Sequence, residues 1–219
     1  GLLFIYVYTF YYGKGELTED TGAYMSEAKK LVEIKTENPS DYYSILFNGE
    51  KSEQLIASYF KDEPKCRISR NKIGINDTRN HIKSISVLML IVGKNSSAVF
   101  LIYFFLSFLG FALLWLTLRK QILLDERITF GLLLLTPSLV FWTSSNLKEA
   151  PYMLGLCLIL SAFILSKRKN FKYGLLILGS LLLLLYKPLL LAIFIVSFLL
   201  ILIFQKIVFE GKKILIFPI

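Results

Sequence analysis

The chain has 219 residues, of which 55% are hydrophobic, and its mean hydropathy is +0.59. This composition excludes an ordinary soluble domain and predicts an all-α polytopic membrane protein, because backbone groups in lipid must be satisfied within each segment. The formal charge of +9 lies mostly after residue 96, in short connectors between apolar runs. A nucleic-acid-binding protein would concentrate such an excess on one soluble face, so we expect no nucleic-acid partner.

We expect about six transmembrane helices, the first of them truncated, because residues 1–12 form an apolar run too short to cross a bilayer. The chain starts inside this run without Met and ends in another apolar run, so we expect a fragment of a longer protein. Residues 13–96 form a long outer loop with amphipathic juxtamembrane helices at the membrane interface, beginning near Asp20, Leu55 and Asn80. Residues 97–219 are predicted to be a transmembrane bundle with a truncated C-terminus.

Five further apolar runs are interpreted as spans, at residues 98–118, 128–142, 151–165, 173–186 and 189–204. By alternation, the connectors at 119–127, 167–172 and 205–213 lie on one side, and they carry most of the basic residues of this half. The positive-inside rule makes that side cytoplasmic. Loop 13–96, residues 143–149 and the Lys-Pro pair at 187–188 then face outward from the membrane, which we take to be a bacterial cytoplasmic (inner) membrane.

Two acidic residues, Glu19 and Asp20, follow the first apolar run closely. A carboxylate at this position can act as a general base on an acceptor hydroxyl, given burial or a neighbour that adjusts its pKa. Acidic residues are also typical of a helix N-terminus, where the helix dipole stabilises them. On residue pattern alone the helix cap is the simpler interpretation.

Lys148 and Glu149 are adjacent charges between two apolar runs. If the next helix begins at Pro151, Glu149 precedes it, and Lys148 beside the helix N-terminus can bind an anion such as phosphate. If Asn146 caps the helix, Glu149 completes a capping box, but Pro151 then removes a backbone hydrogen bond. An ion pair at the membrane interface, with both side chains snorkelling, is the alternative to a functional role.

Lys187 interrupts a long apolar stretch and precedes Pro188. The apolar run before it is shorter than the roughly 20 residues that a span needs, so Lys187 is predicted to lie below the outer surface with an anionic partner. The single histidine, His81, is interpreted as a polar surface residue. No cluster of Cys and His has metal-ligand spacing, so no dedicated metal site is predicted.

The layout resembles the GT-C class of membrane glycosyltransferases, especially the protein mannosyltransferases and lipid A aminoarabinose transferases that use polyprenyl-phosphate sugars. The corresponding segments are ELTEDTGAY, LTLRK, SSNLKEAPYM and LLLLLYKPLLL. The resemblance implies that Asp20, with Glu19 beside it, is the catalytic carboxylate and that Glu149 is a second acidic position. It also implies that Lys148 and Lys187 bind the donor phosphate. Lys148-Glu149 departs from the family's more usual arginine followed later by aspartate.

The resemblance further implies transfer of a hexosyl or pentosyl group from a polyprenyl-phosphate donor to a glycan, lipid or protein acceptor at the outer face. It leaves the need for a divalent metal open. A polytopic transporter or flippase-like protein, with Lys187 and Glu149 lining a path, and a non-catalytic membrane scaffold are the alternatives. An amphipathic outer loop that carries an acidic residue favours the enzyme, whereas inverted repeats, which the sequence does not show, would favour a transporter.

Overall fold

The computed structural model describes residues 19–47, 49–61, 66–68, 77–119, 128, 131, 148–164 and 169–209. Within these ranges the protein is all-α, as the composition predicts, and has eight helices. They are α1 (Glu19–Glu37), α2 (Pro39–Phe47), α3 (Gly49–Tyr59), α4 (Asp77–Val92), α5 (Ser96–Leu118), α6 (Glu149–Ile164), α7 (Lys169–Tyr186) and α8 (Pro188–Phe209). The first predicted span, residues 1–12, and all of 128–142 except Ile128 and Gly131 lie outside the described residues.

Helices α1 to α4 form a cap around one apolar core. On α1 the buried side chains recur every three or four residues, at Tyr24, Ala28, Leu31 and Ile34, which gives the helix one core-facing stripe. On α4 the equivalent stripe includes Ile85 and packs against α1. The core continues onto the first turns of α5 and α6, so the cap is joined to those helices by shared burial.

A buried carboxylate ties a short segment of the cap to α1. Glu27 is 3% exposed, and its two oxygens accept hydrogen bonds from the backbone N–H groups of Arg67 and Ile68 at 2.7 and 2.8 Å. The carbonyl of Ile68 in turn accepts from Arg79 Nε of α4 at 3.1 Å. Glu27 therefore stabilises the cap by accepting from two backbone N–H groups, one of which belongs to the completely buried Ile68.

A three-residue turn joins α4 to α5. Gly93 has φ of 76°, a left-handed conformation that favours glycine, and Asn95 caps α5 by accepting from Ser97 N at 2.9 Å. Further from the turn, the hydroxyls of Ser84 on α4 and Tyr103 on α5 lie 2.9 Å apart. The end of α4 therefore lies beside the start of α5.

Helices α5 and α6 run side by side in the same direction. Contacts advance together along both helices, pairing Ser107 with Ala150, Gly110 with Leu154, and Thr117 with Ser161.

Helix α7 runs antiparallel to α6, and glycines form their contact. A Cβ atom added at Gly155 of α6 would lie 3.0 Å from the carbonyl oxygen of Gly179 on α7, and one at Gly179 would lie 2.7 Å from that of Gly155. At the α5–α6 contact, a Cβ at Gly110 would lie 3.1 Å from Leu154 Cα. Small residues that allow such close backbone approach are typical of helix packing in membranes.

Helix α8 turns back along α7 after Lys187. Pro188 is its first residue, a position that proline favours, and the rings of Phe198 on α8 and Phe163 near the end of α6 are 5.5 Å apart. Among the described residues, α5 alone is long and apolar enough to cross a membrane. The apolar stretches of α6, α7 and α8 are shorter, at Glu149–Ile164, Asn170–Tyr186 and Pro188–Ile201.

Candidate functional site

Charged residues lie where three helix ends meet. The three ends are the start of α4, the start of α6 and the turn between α7 and α8. Four charged side chains form two ion pairs there, which we call the charge cluster: Asp77, Lys148, Glu149 and Lys187.

The first ion pair joins α6 to α4. Lys148 Nζ lies 2.8 Å from Asp77 Oδ2 and donates to Thr78 Oγ1 at 3.1 Å. Both charged side chains are largely buried, with 14% of Lys148 and 20% of Asp77 exposed. Lys148 thus has a carboxylate partner within the protein, and binding of a donor phosphate by Lys148, which the resemblance implies, stays a prediction.

The start of α6 differs from both predicted starts. Glu149 is the first helical residue, and the carbonyl of Lys148 accepts from Tyr152 N at 3.3 Å, so Lys148 caps the helix. Pro151 is then the third helical residue. It costs no hydrogen bond there, because the first N–H groups of a helix have no partner within the helix.

The second ion pair joins α6 to the α7–α8 turn. Lys187 Nζ lies 3.7 Å from Glu149 Oε1 and 5.6 Å from the centre of the Tyr152 ring. Lys187 is 36% exposed, more than twice as much as Lys148, and its ion pair is 0.9 Å longer. Lys187 is therefore the cation of the charge cluster that is more accessible to a ligand.

The structure brings three of the predicted site residues together, namely Lys148, Glu149 and Lys187, and adds Asp77, which sequence reasoning missed. Glu19 and Asp20 are the first two residues of α1, but their side chains lie outside the described residues. The next residue, Thr21, is completely buried, and its hydroxyl has no hydrogen-bond partner among the described residues.

The interpretation of His81 as a surface residue is wrong, because this side chain is completely buried. Its ring lies 5.3, 5.4 and 5.9 Å from the rings of Tyr24, Tyr103 and Tyr186, which belong to α1, α5 and α7. His81 shares the buried face of α4 with Ile85, one turn further on. This helical spacing was the sequence signal for its burial.

A polar contact fixes α4 over the end of α7. Asn80 Nδ2 donates to the carbonyl of Leu185 at 3.2 Å, and this carbonyl belongs to the last turn of α7, where carbonyls have no partner within the helix. Deeper in the cap, burial and the neighbouring Arg79 lower the pKa of Lys83 to about 8. Lys83 Nζ donates to the carbonyl of Leu46 at 3.3 Å, at the end of α2.

An apolar groove of about 420 Å³ runs along α7 and α8 beside the turn that carries Lys187. Its lining residues are Leu176, Ile177, Ser180, Leu181, Leu184 and Leu191. Across the part of the chain that the structure describes, no three His, Cys, Asp or Glu side chains are grouped so that they could hold a metal ion.

Comparison with known protein families, with characterised proteins and with solved structures finds no match for this chain. The resemblance to GT-C glycosyltransferases therefore stays a prediction.

Proposed function

We propose that the protein is a polytopic membrane glycosyltransferase of about six spans, which uses a polyprenyl-phosphate sugar at the outer face of a bacterial inner membrane. The acceptor hydroxyl oxygen forms a bond to the sugar C1, and the bond from C1 to the donor phosphate breaks. The polyprenyl phosphate leaves with the electron pair. Asp20 takes the acceptor proton, and Lys187 stabilises the negative charge on the departing phosphate.

The exposed surfaces of the long helices support a membrane location. Large apolar side chains are exposed along α5, α7 and α8, among them Leu101, Phe105, Ile177, Leu189 and Ile193. Contiguous apolar patches of this size are rare on soluble monomers and typical of membrane contact. Helices α6 and α7 bury glycines and small polar residues between them and their neighbours instead. This distribution is the one expected of a bundle packed in lipid.

The helix directions support the proposed orientation. The ends of α5 and α6 lie at one end of the bundle, together with the start of α7. The cap, the start of α6 and the α7–α8 turn lie at the other end. These are the two groups of ends that the distribution of basic residues assigns to the cytoplasmic and outer sides.

The observation that carries the proposed chemistry is the position of Lys187. Its partly exposed ammonium group lies at the turn beside the apolar groove of α7 and α8. A polyprenyl phosphate has one apolar tail and one anionic head, and this arrangement offers a surface to each. Glu149, 3.7 Å away, orients the ammonium group of Lys187 at this turn.

Lys148 has a different part in this scheme. Asp77 and Thr78 take two of its three N–H donors, so at most one donor is left for the ligand. Its positive charge next to the Glu149–Lys187 pair still contributes to the local potential. We assign the donor phosphate primarily to Lys187, with Lys148 as a supporting charge.

The packing of the bundle favours an enzyme over a transporter. The described helices α5, α6 and α7 pack backbone against backbone at Gly110, Gly155 and Gly179. The Glu149–Lys187 pair lies at the end of this bundle rather than along its interior. A charged pair in that position suits a site at the membrane face.

The test is polyprenyl-phosphate binding followed by sugar transfer. The purified full chain in lipid nanodiscs is titrated with polyprenyl phosphate, and Lys187→Met is compared with Lys172→Met, which removes a cation from the other end of α7. We expect Lys187→Met to weaken binding at least tenfold and Lys172→Met to leave it unchanged. Equal binding by both variants would remove Lys187 from the site.

Transfer is then measured in membranes with a panel of polyprenyl-phosphate sugars. Asp20→Asn should lower the rate by ~10²–10⁴, the usual contribution of a general base, while Glu37→Gln at the other end of α1 should leave it unchanged. Normal transfer by Asp20→Asn would exclude Asp20 as the base. If the unsubstituted chain binds the lipid but transfers no sugar of the panel, the flippase-like alternative is favoured.

A further inference from the structure

Helix α5 extends further toward the cap than α6 does. Ser107 of α5 donates a hydrogen bond to the carbonyl of Ala150, the second residue of α6, at 3.3 Å. The two residues are therefore level along the bundle. Since α5 begins at Ser96, it continues for eleven residues above this level, or about 16 Å of helix.

The outward face of this extension is apolar. Leu101 and Phe105 are 52% and 56% exposed, and Phe104 is exposed beside them. Phe108 and Leu109, which are also exposed, continue this apolar surface to the level where α5 packs against α6, without a polar side chain between them. This apolar stripe extends from the level of Ser107 up to Leu101. In a membrane, the lipid that covers the stripe at Ser107 therefore also covers Leu101.

The charge cluster lies below the top of this stripe. Leu101 precedes Ser107 by six residues, which is about 9 Å of helix. Glu149 and Lys148 precede Ala150 by one and two residues, so they lie ~6–8 Å below Leu101. Lys187 is at the same level, because its ammonium group contacts Glu149.

We propose that the charge cluster lies beneath the headgroup level of the outer leaflet and that α4 rises from the cluster to the membrane surface, so the ligand phosphate reaches Lys187 sideways from the lipid. This inference rests on the membrane location proposed above. Val92, at the end of α4, is joined by three residues to the start of α5, whereas Asp77, at its beginning, contacts Lys148 at the deeper level. Helix α4 therefore descends from the surface toward the cluster.

Two further features of the structure support this arrangement. The charges are arranged as pairs, as charged groups at membrane depth must be to offset their loss of hydration. The last turns of α4 also expose Val87, Leu90 and Ile91, apolar side chains that would contact the lipid around the start of α5. A helix that lay wholly in water would expose polar residues there.

Nitroxide depth measurements on the full chain in phospholipid vesicles test the proposal. Single cysteines replace three exposed residues, in Leu101→Cys near the top of α5, Leu189→Cys next to Lys187, and Ile177→Cys ten residues before Lys187 on α7. Cys66 and Cys157 are buried, so the unsubstituted chain treated with the same label is the background control. Power saturation with oxygen and with a nickel chelate then gives the depth of each label.

We expect the label at Leu189 to lie about 9 Å deeper than the one at Leu101, and the label at Ile177 to be the deepest. A Leu189 label at the depth of Leu101 would overturn the proposal, because the bilayer would then be thinned around α7 and α8 and the cluster would lie at headgroup level. Nickel access at all three positions would instead refute the membrane location, and with it the proposed function.

Discussion

Gly179 is the position at which one added methyl group tests the bundle most directly. A Cβ atom there would lie 2.7 Å from the carbonyl oxygen of Gly155 and 2.8 Å from Ile159 Cγ1. The oxygen belongs to the α6 backbone and cannot move as a side chain would. We therefore expect Gly179→Ala to push α6 and α7 apart.

The expected magnitude follows from two opposing effects. Overpacking a close contact costs ~1–3 kcal/mol, whereas Ala is favoured over Gly inside a helix by about 1 kcal/mol. Gly174, on the same helix, has no atom within 4 Å of an added Cβ. Gly174→Ala therefore gains the helix propensity of alanine without a packing cost. The difference between the two variants isolates the packing cost, ~1–3 kcal/mol.

Thermal unfolding in nanodiscs measures this difference. For a chain of this size, each kcal/mol changes the melting temperature by ~2–4 °C, so Gly179→Ala should melt at least that far below Gly174→Ala. Equal melting temperatures would mean that α6 and α7 do not approach through their glycines. The inference that small residues form the interior of the bundle would then fail as well.

Three further variants test the cap and the charge cluster. Glu27→Gln should destabilise the chain by ~1–3 kcal/mol in denaturant unfolding, because the amide can accept only one of the two backbone N–H bonds, while the exposed Glu37→Gln should change stability little. The free energy of unfolding should rise between pH 8 and 10.5, because Lys83 is neutral in the folded cap in this range while it is still protonated in the unfolded chain. Lys83→Met should remove this pH dependence, and a pH dependence that persists in the variant would exclude Lys83 as its cause. Asp77→Asn should cost ~1–3 kcal/mol by leaving Lys148 without an anionic partner, and adding Lys148→Met should recover part of that loss, whereas a purely additive double variant would refute the coupling.

Apolar periodicity predicted where most helices lie but not how each one ends. Asn38 separates α1 from α2, and Pro39 begins α2, a helix that the sequence pattern did not predict. Proline fits the first position of a helix, and Asn38 Nδ2 donates to Asp41 within that first turn at 2.9 Å. One residue therefore separates the two helices. The sequence signal for the second was the helical spacing of Tyr42 and Ile45, which are both buried.

The charged residues of the candidate site could be predicted individually, but their pairing could not. Lys148, Glu149 and Lys187 stand out because they interrupt apolar runs. Asp77 does not stand out, since it lies in a polar loop, and its partner is 71 residues away in the chain. Pairing depends on which helix ends meet in space, which periodicity along one helix does not contain.

Helix polarity explains why Asp77 belongs to the charge cluster. Asp77 and Glu149 are first residues of α4 and α6, where the partial positive charge of a helix N-terminus stabilises a carboxylate. Lys148 caps the same end of α6, and there the dipole opposes its charge. A partly buried ammonium group in that position needs a nearby anion, and Asp77 supplies it at 2.8 Å. A lysine directly before a buried helix therefore needs an anionic partner, and a carboxylate from another segment of the same protein can take that place as well as a bound phosphate can.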